Sequence, residues 1–459
     1  MLTLAGVSLA TAKVTKLFAR VKPLGGSKVA IIGGGFAGLT AAHRLVKAGI
    51  PVDLFEARSG GFGGRVQTLK NFNSEGMFVE LGAELVDTNH ETLIALCHEF
   101  GIEVESIIED DKDVLSSLYF IDQKYYSDKE VIENFAALGK SIAHDQAIAF
   151  PESAGSPTAL AREFDNKSIK DYLDSQKDIS PWLKKLLLVS YTNEYGLDAS
   201  LQSALNFLNY IDPDTSHGFR IFGDSDESMR IKGGNGRLTE ALVAALKEKG
   251  DLIRFNPGHP LKAIASKEEG LRLTFESSGV RSREVVYKRV ISAIPLTLLR
   301  EVDGLDSLGM SSEKLAAIRE FGYGTNMKSM IGFQDRFWRK DYRNVKASNA
   351  AIATDLRTQQ YWETSRAQKG KSGILTNFSG AGWGAECAIM VGSEAGRSQA
   401  HDIIVSDLSK VWPDVKVQEK LDRNKRSIPW PTFRWSKGAY SCPKVGQVTT
   451  HMEILPDTY

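Results

Sequence analysis

The stretch Lys28-Val29-Ala30-Ile31-Ile32-Gly33-Gly34-Gly35-Phe36-Ala37-Gly38 decides the fold of this chain of 459 residues. An apolar, β-branched run ends there in a glycine-rich turn, and an Ala/Leu-rich helix pattern follows to Lys47. A second apolar run begins at Val52 and ends on Glu56. This order predicts a βαβ unit, and an acidic residue about 20 positions after the glycines completes the dinucleotide-binding pattern.

The three spaced glycines have separate physical roles in that pattern. Gly33 permits the tight turn, Gly35 lets the backbone approach a pyrophosphate, and Gly38 lets the helix pack closely on the sheet. Phe36 and Ala37 lie where the helix opens, and the free N–H groups and dipole of a helix N-terminus favour phosphate. A purely structural turn is the alternative.

A second glycine-rich loop follows the acidic residue. Glu56 is expected to accept hydrogen bonds from a ribose diol, and its carboxylate disfavours a 2′-phosphate. The loop runs on from Ala57 and Arg58 to Gly64 and Arg65. An arginine beside glycines suits a diphosphate because its guanidinium donates two parallel hydrogen bonds.

Composition excludes several classes of function. Apolar residues make up 42% and charged residues 25%, which is typical of a soluble globular protein. Lys plus Arg and Asp plus Glu both number 57, so no global charge attracts nucleic acid or an anionic membrane. The 3 cysteines have no metal-ligand spacing and predict small buried side chains. Past the N-terminus no apolar run reaches the length of a membrane-spanning helix.

The N-terminal residues form a candidate leader. Residues 2–12 are apolar and end in small side chains, and four basic residues follow, but no positive segment precedes them. Residues 1–26 therefore predict export to a bacterial periplasm or the medium. Failing that, the chain is expected in the cytoplasm.

Short sequence motifs, beginning with the unit already described, are spread over nearly the whole chain. They are the Gly33–Glu56 unit, Gly63-Gly64-Arg65, Glu80-Leu81-Gly82-Ala83, Ile231-Lys232-Gly233-Gly234, Val290-Ile291-Ser292-Ala293-Ile294-Pro295, Lys328 before Phe337-Trp338, and Trp430 to Gly438-Ala439-Tyr440. In this order they resemble the flavin-containing amine oxidase family of monoamine, polyamine and L-amino-acid oxidases.

The resemblance implies an α/β fold in which a Rossmann-like FAD-binding domain is interleaved with an α+β substrate domain. The expected division is 27–110 and 226–300 for FAD binding, 111–225 and 301–425 for substrate, and 426–459 as the start of a C-terminal FAD-binding segment. Family members continue past that point with a strand, a glycine turn and a helix. The rest of this segment, which also brings the second cage aromatic, is therefore expected to be missing.

The same resemblance implies where FAD contacts the chain. Gly82, Ala83 and Glu84 end a predicted strand where backbone could pass a flat ring, and Leu261 is expected to touch the nucleotide. Trp430 is expected beside the flavin. Ala439 stands where monoamine oxidases carry their flavin-linking cysteine, so FAD should be bound non-covalently.

Two residues are candidates for catalysis. Lys328 lies in an alternating strand pattern, where a lysine is either an edge charge or a buried amine, and the family's lysine holds a water against flavin N5. Tyr440 is expected to be one wall of an aromatic cage that attracts a cationic amine. Core packing is the alternative for the aromatic residues.

The implied reaction is oxidative deamination of an amine or amino acid by FAD and O2, with release of hydrogen peroxide and no metal ion. Glu84 or Asp87, if turned toward the cavity, would favour a cationic amine or diamine. Capping of the next helix or exposure to solvent is the alternative for both. An FAD enzyme that desaturates carbon–carbon bonds and an inactive, truncated relative are the rival functions, and a homodimer is left open.

Overall fold

The computed structural model describes residues 28–151, 156–276 and 283–456, so the expected leader at 1–26 lies outside the described residues. The strands, numbered in chain order, are β1 Val29–Ile32, β2 Val52–Glu56, β3 Thr68–Leu69, β4 Val79–Glu80, β5 Val104–Ser106, β6 Leu118–Ile121, β7 Lys124–Tyr126, β8 Met229–Ile231, β9 Ile253–Pro257, β10 Leu261–Lys267, β11 Gly270–Phe275, β12 Arg283–Tyr287, β13 Arg289–Ser292, β14 Met327–Phe333, β15 Ile352–Thr354, β16 Gln360–Glu363, β17 Gly373–Ser379 and β18 Leu421–Ile428. The helices are α1 Phe36–Lys47, α2 Glu91–Glu99, α3 Asp128–Ala149, α4 Ala159–Asp165, α5 Ile169–Ser175, α6 Pro181–Tyr195, α7 Ala204–Tyr210, α8 Gly236–Lys247, α9 Leu296–Leu299, α10 Ser312–Glu320, α11 Ala381–Met390, α12 Glu394–Val411 and α13 Val417–Lys420.

The predicted βαβ unit is confirmed, and it forms the centre of a parallel four-stranded sheet. The strand order is β13-β1-β2-β9, and every residue of β1 and β2 is buried, as expected for parallel strands that are covered on both faces. The close packing assigned to Gly38 is also present. A Cβ added there would lie 1.8 Å from the carbonyl oxygen of Gly33, so only glycine fits.

A small antiparallel sheet packs beside this unit in the order β10-β11-β12. The rings of Phe55 on β2 and Phe275 on β11 stack with centroids 4.2 Å apart. Tyr287 on β12 donates a hydrogen bond of 2.7 Å to Asp53 of β2. These contacts fix the start of β10, where Leu261 lies, against the end of β2.

A mixed seven-stranded sheet forms the other large layer, in the order β18-β14-β17-β16-β15-β6-β7. The alternation expected along β14 is absent, because all its residues are buried. Ile331 and Phe333 belong to the core around Trp338 and Trp412, whereas Met330 packs in a separate core with Trp430. Both faces of β14 are therefore covered, and Lys328 is a buried amine rather than an edge charge.

Helices α3 to α7 build a third core of their own. Two of them begin with a capping box, Ser127 with Glu130 and Ser168 with Asp171, in which side chain and backbone satisfy each other's hydrogen bonds. Helix α6 begins with a proline in its first turn and ends at Gly196, which adopts the left-handed conformation that glycine permits. This helix also carries Glu194, a residue of the candidate active site.

The structure differs from the sequence predictions in one element of the site. The strand expected up to Glu84 is limited to β4, and residues 81–84 are irregular, because their backbone packs on a loop rather than on another strand.

The cysteines Cys97, Cys387 and Cys442 are buried and unpaired, as predicted. The domain boundaries stay a prediction, and β18 crosses the one drawn between 425 and 426. Within the described ranges, no helix is long and apolar enough to cross a membrane.

Candidate active site

Two cavities contain the residues expected at the site. The glycine-lined cleft, of about 530 Å³, is formed by the turns after β1 and β2 and by residues near Trp430. The Lys328 cavity, of about 730 Å³, lies between the seven-stranded sheet, α6 and the loop before β8. Their walls contact each other where the N–H of Ala83, in the wall of the Lys328 cavity, donates to the carbonyl of Arg65, in the wall of the cleft.

The structure distributes the residues expected from the sequence between these two spaces. In the glycine-lined cleft lie Gly33, Gly35, Phe36, Ala37, Glu56, Ala57, Arg58, Gly64, Arg65, Leu261 and Trp430. In the Lys328 cavity lie Gly82, Ala83, Glu84, Lys328 and Tyr440. Gly38 lies behind the cleft, where it packs on Gly33.

Glu56 organises the mouth of the glycine-lined cleft. One carboxylate oxygen accepts from the N–H of Gly34 at 2.8 Å, and the other accepts from the N–H of Arg58 at 2.8 Å. Each oxygen can accept a further hydrogen bond, because an ionised carboxylate has about four lone-pair sites. The carboxylate is therefore fixed in place and still able to accept from the hydroxyls of a ribose.

The cleft fits an anionic nucleotide, on two observations. Among the described residues, Nη2 of Arg58 is buried without a hydrogen-bond partner, and a buried guanidinium nitrogen of this kind is costly unless a ligand completes it. A Cβ added at Gly35 would meet only Gly64 Cα, at 3.8 Å, so backbone is open toward the cleft there. The Arg58 guanidinium also pairs with Glu56, with Nε 3.7 Å from Oε1, so it is held in place with Nη2 still available. Backbone N–H groups and such a guanidinium nitrogen are a donor set that suits a diphosphate.

The junction between the two spaces is built from small residues and one indole ring. A Cβ added at Gly82 would lie 1.8 Å from the carbonyl oxygen of Arg65 and 3.1 Å from Cζ2 of Trp430. The indole N–H of Trp430 donates to the carbonyl of Leu81 at 3.0 Å. The Ala83 N–H donates to the Arg65 carbonyl at 3.2 Å. The Trp430 ring therefore packs directly against the backbone of Leu81 and Gly82, between the cleft and the cavity.

Lys328 is held inside the cavity by two acceptors from that backbone segment. Its ammonium donates to the carbonyl of Gly82 at 2.9 Å and to Oε2 of Glu84 at 2.6 Å. Burial alone raises the pKa of Glu84, but the adjacent Lys328 ammonium outweighs burial and holds that pKa below its ordinary value. The carboxylate and the ammonium thus neutralise each other.

Aromatic rings form one wall of the cavity. Tyr440 is 46% exposed and lines the cavity. Its centroid lies 6.3 Å from that of Phe378 on β17, and Phe378 contacts Trp362 with centroids 5.6 Å apart. The ammonium of Lys328 lies 5.2 Å from the Trp362 ring centre. Phe378 and Trp362 of the seven-stranded sheet therefore add aromatic surface beside Tyr440 and Lys328.

Sequence reasoning missed two acidic residues of this cavity, Glu194 of α6 and Glu227 of the loop before β8. Neither lies in a recognisable motif, and the two are far apart in sequence. The raised pKa values that burial gives them were the signal available in the structure alone.

Asp87 has a different role from the one considered for it. It accepts from the Ser225 hydroxyl at 3.0 Å and from the Glu227 N–H at 2.7 Å, so it anchors the loop that carries Glu227. Of the two acids named from the sequence, Glu84 lines the cavity and Asp87 supports it from behind. No group of His, Cys, Asp and Glu side chains suited to a metal ion is found within the described residues.

Known proteins with related sequences and folds are enzymes that act on amines and amino acids. The chain is 24% identical over 447 residues to the flavin-dependent L-tryptophan oxidase RebO of Lentzea aerocolonigenes, covering 90% of this chain and 87% of that protein. It is 27% identical over 334 residues to human amine oxidase [flavin-containing] B, covering 68% of this chain. The matched part spans 59% of the human enzyme, and likewise 59% of an L-amino-acid oxidase of Demansia vestigiata.

Solved structures share the fold. Cyclohexylamine oxidase from Brevibacterium oxydans superposes with a TM-score of 0.73 at 18% identity, covering 94% of this chain and 91% of that one. Wild-type putrescine oxidase bound to putrescine superposes with a TM-score of 0.70 at 20% identity, covering 92% and 89%.

The model of the family described as flavin-containing amine oxidoreductase matches residues 36–458. The expectation that part of a C-terminal FAD-binding segment is missing finds no support in these comparisons. The mixed α/β fold and the resemblance stated from the motifs are confirmed by the same findings. The chain belongs to the family of flavin-containing amine oxidoreductases.

Proposed function

We propose that this protein is an FAD-dependent oxidase that deaminates a small amine, with O2 as the electron acceptor and hydrogen peroxide as a product. The observation that carries the proposal is the buried Lys328, held by Gly82 and Glu84 in a cavity with aromatic residues whose wall contacts that of the glycine-lined cleft. The family match and the named relatives support the reaction class.

FAD would be bound non-covalently along the glycine-lined cleft. Glu56 would accept from ribose hydroxyls, Arg58 and Arg65 would donate to the diphosphate, and the backbone of Gly82 and Ala83 would face the ring. Ala439 carries no nucleophilic atom, so it cannot form the covalent bond to flavin that a cysteine forms. When bound, FAD supplies the two-electron redox chemistry for the amine and transfers the electrons to O2.

The side chains of the Lys328 cavity would position the amine and control its protons. Lysine has three N–H donors, and two of them are used on Gly82 and Glu84, which leaves one for a water or a cofactor atom. Burial and the nearby carboxyl groups raise the pKa of Tyr440, so its ring stays a neutral phenol. Tyr440, Phe378 and Trp362 would exclude water from the apolar part of the substrate.

The charges around the cavity favour an amine over an amino acid. An amino-acid substrate needs a free cation for its carboxylate, but Arg366 donates to Asp111 at 3.2 Å and Arg220 pairs with Asp212. Amino-acid oxidation remains the second candidate because two of the relatives are L-amino-acid oxidases. A carbon–carbon desaturase and an inactive relative have less support, since the named relatives oxidise amines or amino acids.

The test is the visible absorption spectrum of the purified protein, followed by anaerobic addition of an amine. We expect oxidised-flavin bands that bleach with a primary amine, recover with air and yield peroxide. Bleaching by L-amino acids only would select the second candidate. Flavin that no amine and no amino acid reduces would overturn the proposal.

A further inference from the structure

We propose that Asn235 is a positioning residue for Lys328, and that it acts by fixing residues 82–84, the backbone segment that holds the lysine ammonium. This inference rests on the proposed function and deepens it by naming a residue that controls the geometry of the Lys328 site from outside the two cavities. It is carried by the hydrogen bonds of the Asn235 side chain, by the way helix α8 begins, and by the irregular backbone of the 82–84 segment.

The side chain of Asn235 binds the 82–84 segment at two points. Its Nδ2 donates to the carbonyl of Ala83 at 2.9 Å and to the carbonyl of Glu84 at 3.1 Å. Its Oδ1 accepts from the N–H of Ile231 at 3.4 Å. This network fixes the orientation of the amide, because carbonyls only accept and an N–H only donates. Asn235 is 5% exposed, so water does not compete for these bonds.

The start of helix α8 is satisfied without the side chain of Asn235. Asparagine at an N-cap ordinarily accepts from N–H groups of the first turn, but Asn235 occupies the N-cap of α8 and makes no such bond. Instead, Oε1 of Glu80 accepts from the Asn235 N–H at 2.7 Å, and Oγ1 of Thr68 accepts from the Gly236 N–H at 2.8 Å. The Thr68 hydroxyl donates in turn to Glu80 at 2.9 Å. The amide of Asn235 is therefore available for the 82–84 segment.

The 82–84 segment depends on such side-chain bonds, because it has no strand partner among the described residues. Strand β4 ends at Glu80, and the Ala83 N–H donates to the carbonyl of Arg65 in the neighbouring loop. The Gly82 carbonyl and the Glu84 carboxylate accept from the Lys328 ammonium. A shift of the segment would therefore move the ammonium with it.

The position of the Lys328 ammonium matters because two of its three N–H donors are used on the 82–84 segment, and these two set the direction of the third. A hydrogen bond weakens steeply as its angle departs from linear. A displacement of about 1 Å at a reacting centre can cost about 10²-fold in rate. Asn235 lines neither cavity, so loss of its donors would lower the rate of amine oxidation through Lys328 and leave the binding surfaces unchanged.

The test compares Asn235→Ser with Thr68→Val. Serine is also a preferred N-cap residue, so Asn235→Ser removes the two donors to the 82–84 segment and retains a side chain suited to the helix start. Thr68→Val is the matched control, because it removes the hydroxyl that serves the same helix start and leaves the contacts of Asn235 with the segment in place. Anaerobic stopped-flow reduction of the FAD-bound proteins by a primary amine gives a limiting rate constant and an apparent Kd for each.

Urea unfolding of the apoproteins gives a second readout that needs neither FAD nor turnover. Lys328→Met is introduced into the wild-type, Asn235→Ser and Thr68→Val backgrounds, and the shift of the urea midpoint is compared. The shift should be smaller in the Asn235→Ser background, because a segment that is no longer fixed lets the unpaired Glu84 carboxylate reach water. The wild-type and Thr68→Val backgrounds should give equal shifts.

We expect Asn235→Ser to lower the limiting rate constant about tenfold or more and to change the apparent Kd of the amine less than about threefold. Thr68→Val should keep the wild-type rate constant even where it lowers the urea midpoint. A wild-type rate constant in Asn235→Ser, an equal loss of rate in Thr68→Val, or equal midpoint shifts in all three backgrounds would each overturn the proposal.

Failure of the proposed oxidase is a distinct result, since it would appear as flavin that no amine reduces while the urea midpoints still decide the role of Asn235. If Asn235→Ser does not fold, Asn235→Asp takes its place in both measurements, because aspartate is an equally good N-cap residue and likewise lacks the two donors.

Discussion

The ammonium of Lys328 and the carboxylate of Glu84 lie 2.6 Å apart, although the residues are separated by 244 positions in the sequence. Their side chains are only 3% and 8% exposed, so the two charges are removed from water together. Such a pair is strongly coupled, because loss of one partner leaves the other as an uncompensated buried charge.

We therefore expect Lys328→Met to be costly for stability as well as for amine oxidation. The single variant should lose about 3–5 kcal/mol of unfolding free energy, because Glu84 is left charged and unpaired. The double variant Glu84→Met/Lys328→Met should recover most of that stability and remain unable to oxidise amines. Urea unfolding and anaerobic flavin reduction measure the two effects separately. A single variant as stable as the wild-type protein would contradict the buried pair.

Arg58 should contribute to FAD affinity, separately from its ion pair with Glu56 in the apoprotein. Its Nη2 has no partner among the described residues, so Arg58→Ala removes a donor that only a ligand would use. We expect about tenfold weaker FAD binding, measured by flavin fluorescence quenching on titration of apoprotein. Arg343→Ala, at an exposed position, is the control and should bind FAD like the wild-type protein. Equal losses of FAD affinity in Arg58→Ala and Arg343→Ala would show that the effect comes only from the net charge of the protein.

Gly82 should not tolerate even one added methyl group. The Cβ of Gly82→Ala would lie 1.8 Å from the Arg65 carbonyl, so the junction between the cleft and the cavity must shift. We expect lower stability and impaired FAD binding. At Gly382 in α11 an added Cβ would meet no heavy atom within 4 Å outside its chain neighbours and the backbone of its own helix, and Gly382→Ala should be neutral or stabilising by up to about 1 kcal/mol. Thermal unfolding with and without FAD compares the two, and similar behaviour would be evidence against the tight junction.

The acids of the Lys328 cavity should make stability depend on pH between about 5 and 8. The pKa of Glu194 rises from 4.5 to about 8 and that of Glu227 to about 7, so the folded state retains protons that the unfolded state releases. Their stabilising contribution is complete below pH 4.5 and is lost as the pH rises through 7 to 8. The groups that face them are Tyr210, Asp87, Glu84, Lys328 and Arg366.

The double variant Glu194→Gln/Glu227→Gln should lose less stability than the wild-type protein over this pH range, as measured by urea midpoints. If the urea midpoints of the wild-type protein and the double variant changed with pH in parallel, Glu194 and Glu227 would be excluded as the titrating groups.

The sequence predicted the parts of the molecule whose chemistry is local. The turn from Gly33 to Gly38 requires glycine for steric reasons, and hydrophobic periodicity marks β1, α1 and β2 on either side of it. Lys328 was a candidate from the sequence because a lysine within a strand pattern is either an edge charge or a buried amine. The contacts of its ammonium with Glu84 were not predictable, since the two residues meet only through tertiary packing.

The residues that the sequence did not indicate are those whose role depends on where distant segments meet. Glu194 lies in an ordinary helix pattern and Glu227 in an acidic loop, and either would be read as surface charge. Phe378 is one aromatic residue in a central strand, and its position opposite Lys328 follows from the register of β14 and β17. The positions of these residues depend on the register of strand pairing and on the packing of α6 against the sheet. Neither can be predicted from local sequence patterns.

The sheets described above join segments that leave the ribosome at very different times. Strand β1 pairs with β13 across 260 positions at Val29 and Arg289, and β6 pairs with β15 across more than 230. Until these late strands are synthesised, β1 and β6 carry unpaired edges, which are sites of aggregation. Because pairing between remote segments slows folding, the nascent N-terminal half should depend on chaperone protection until the later strands emerge.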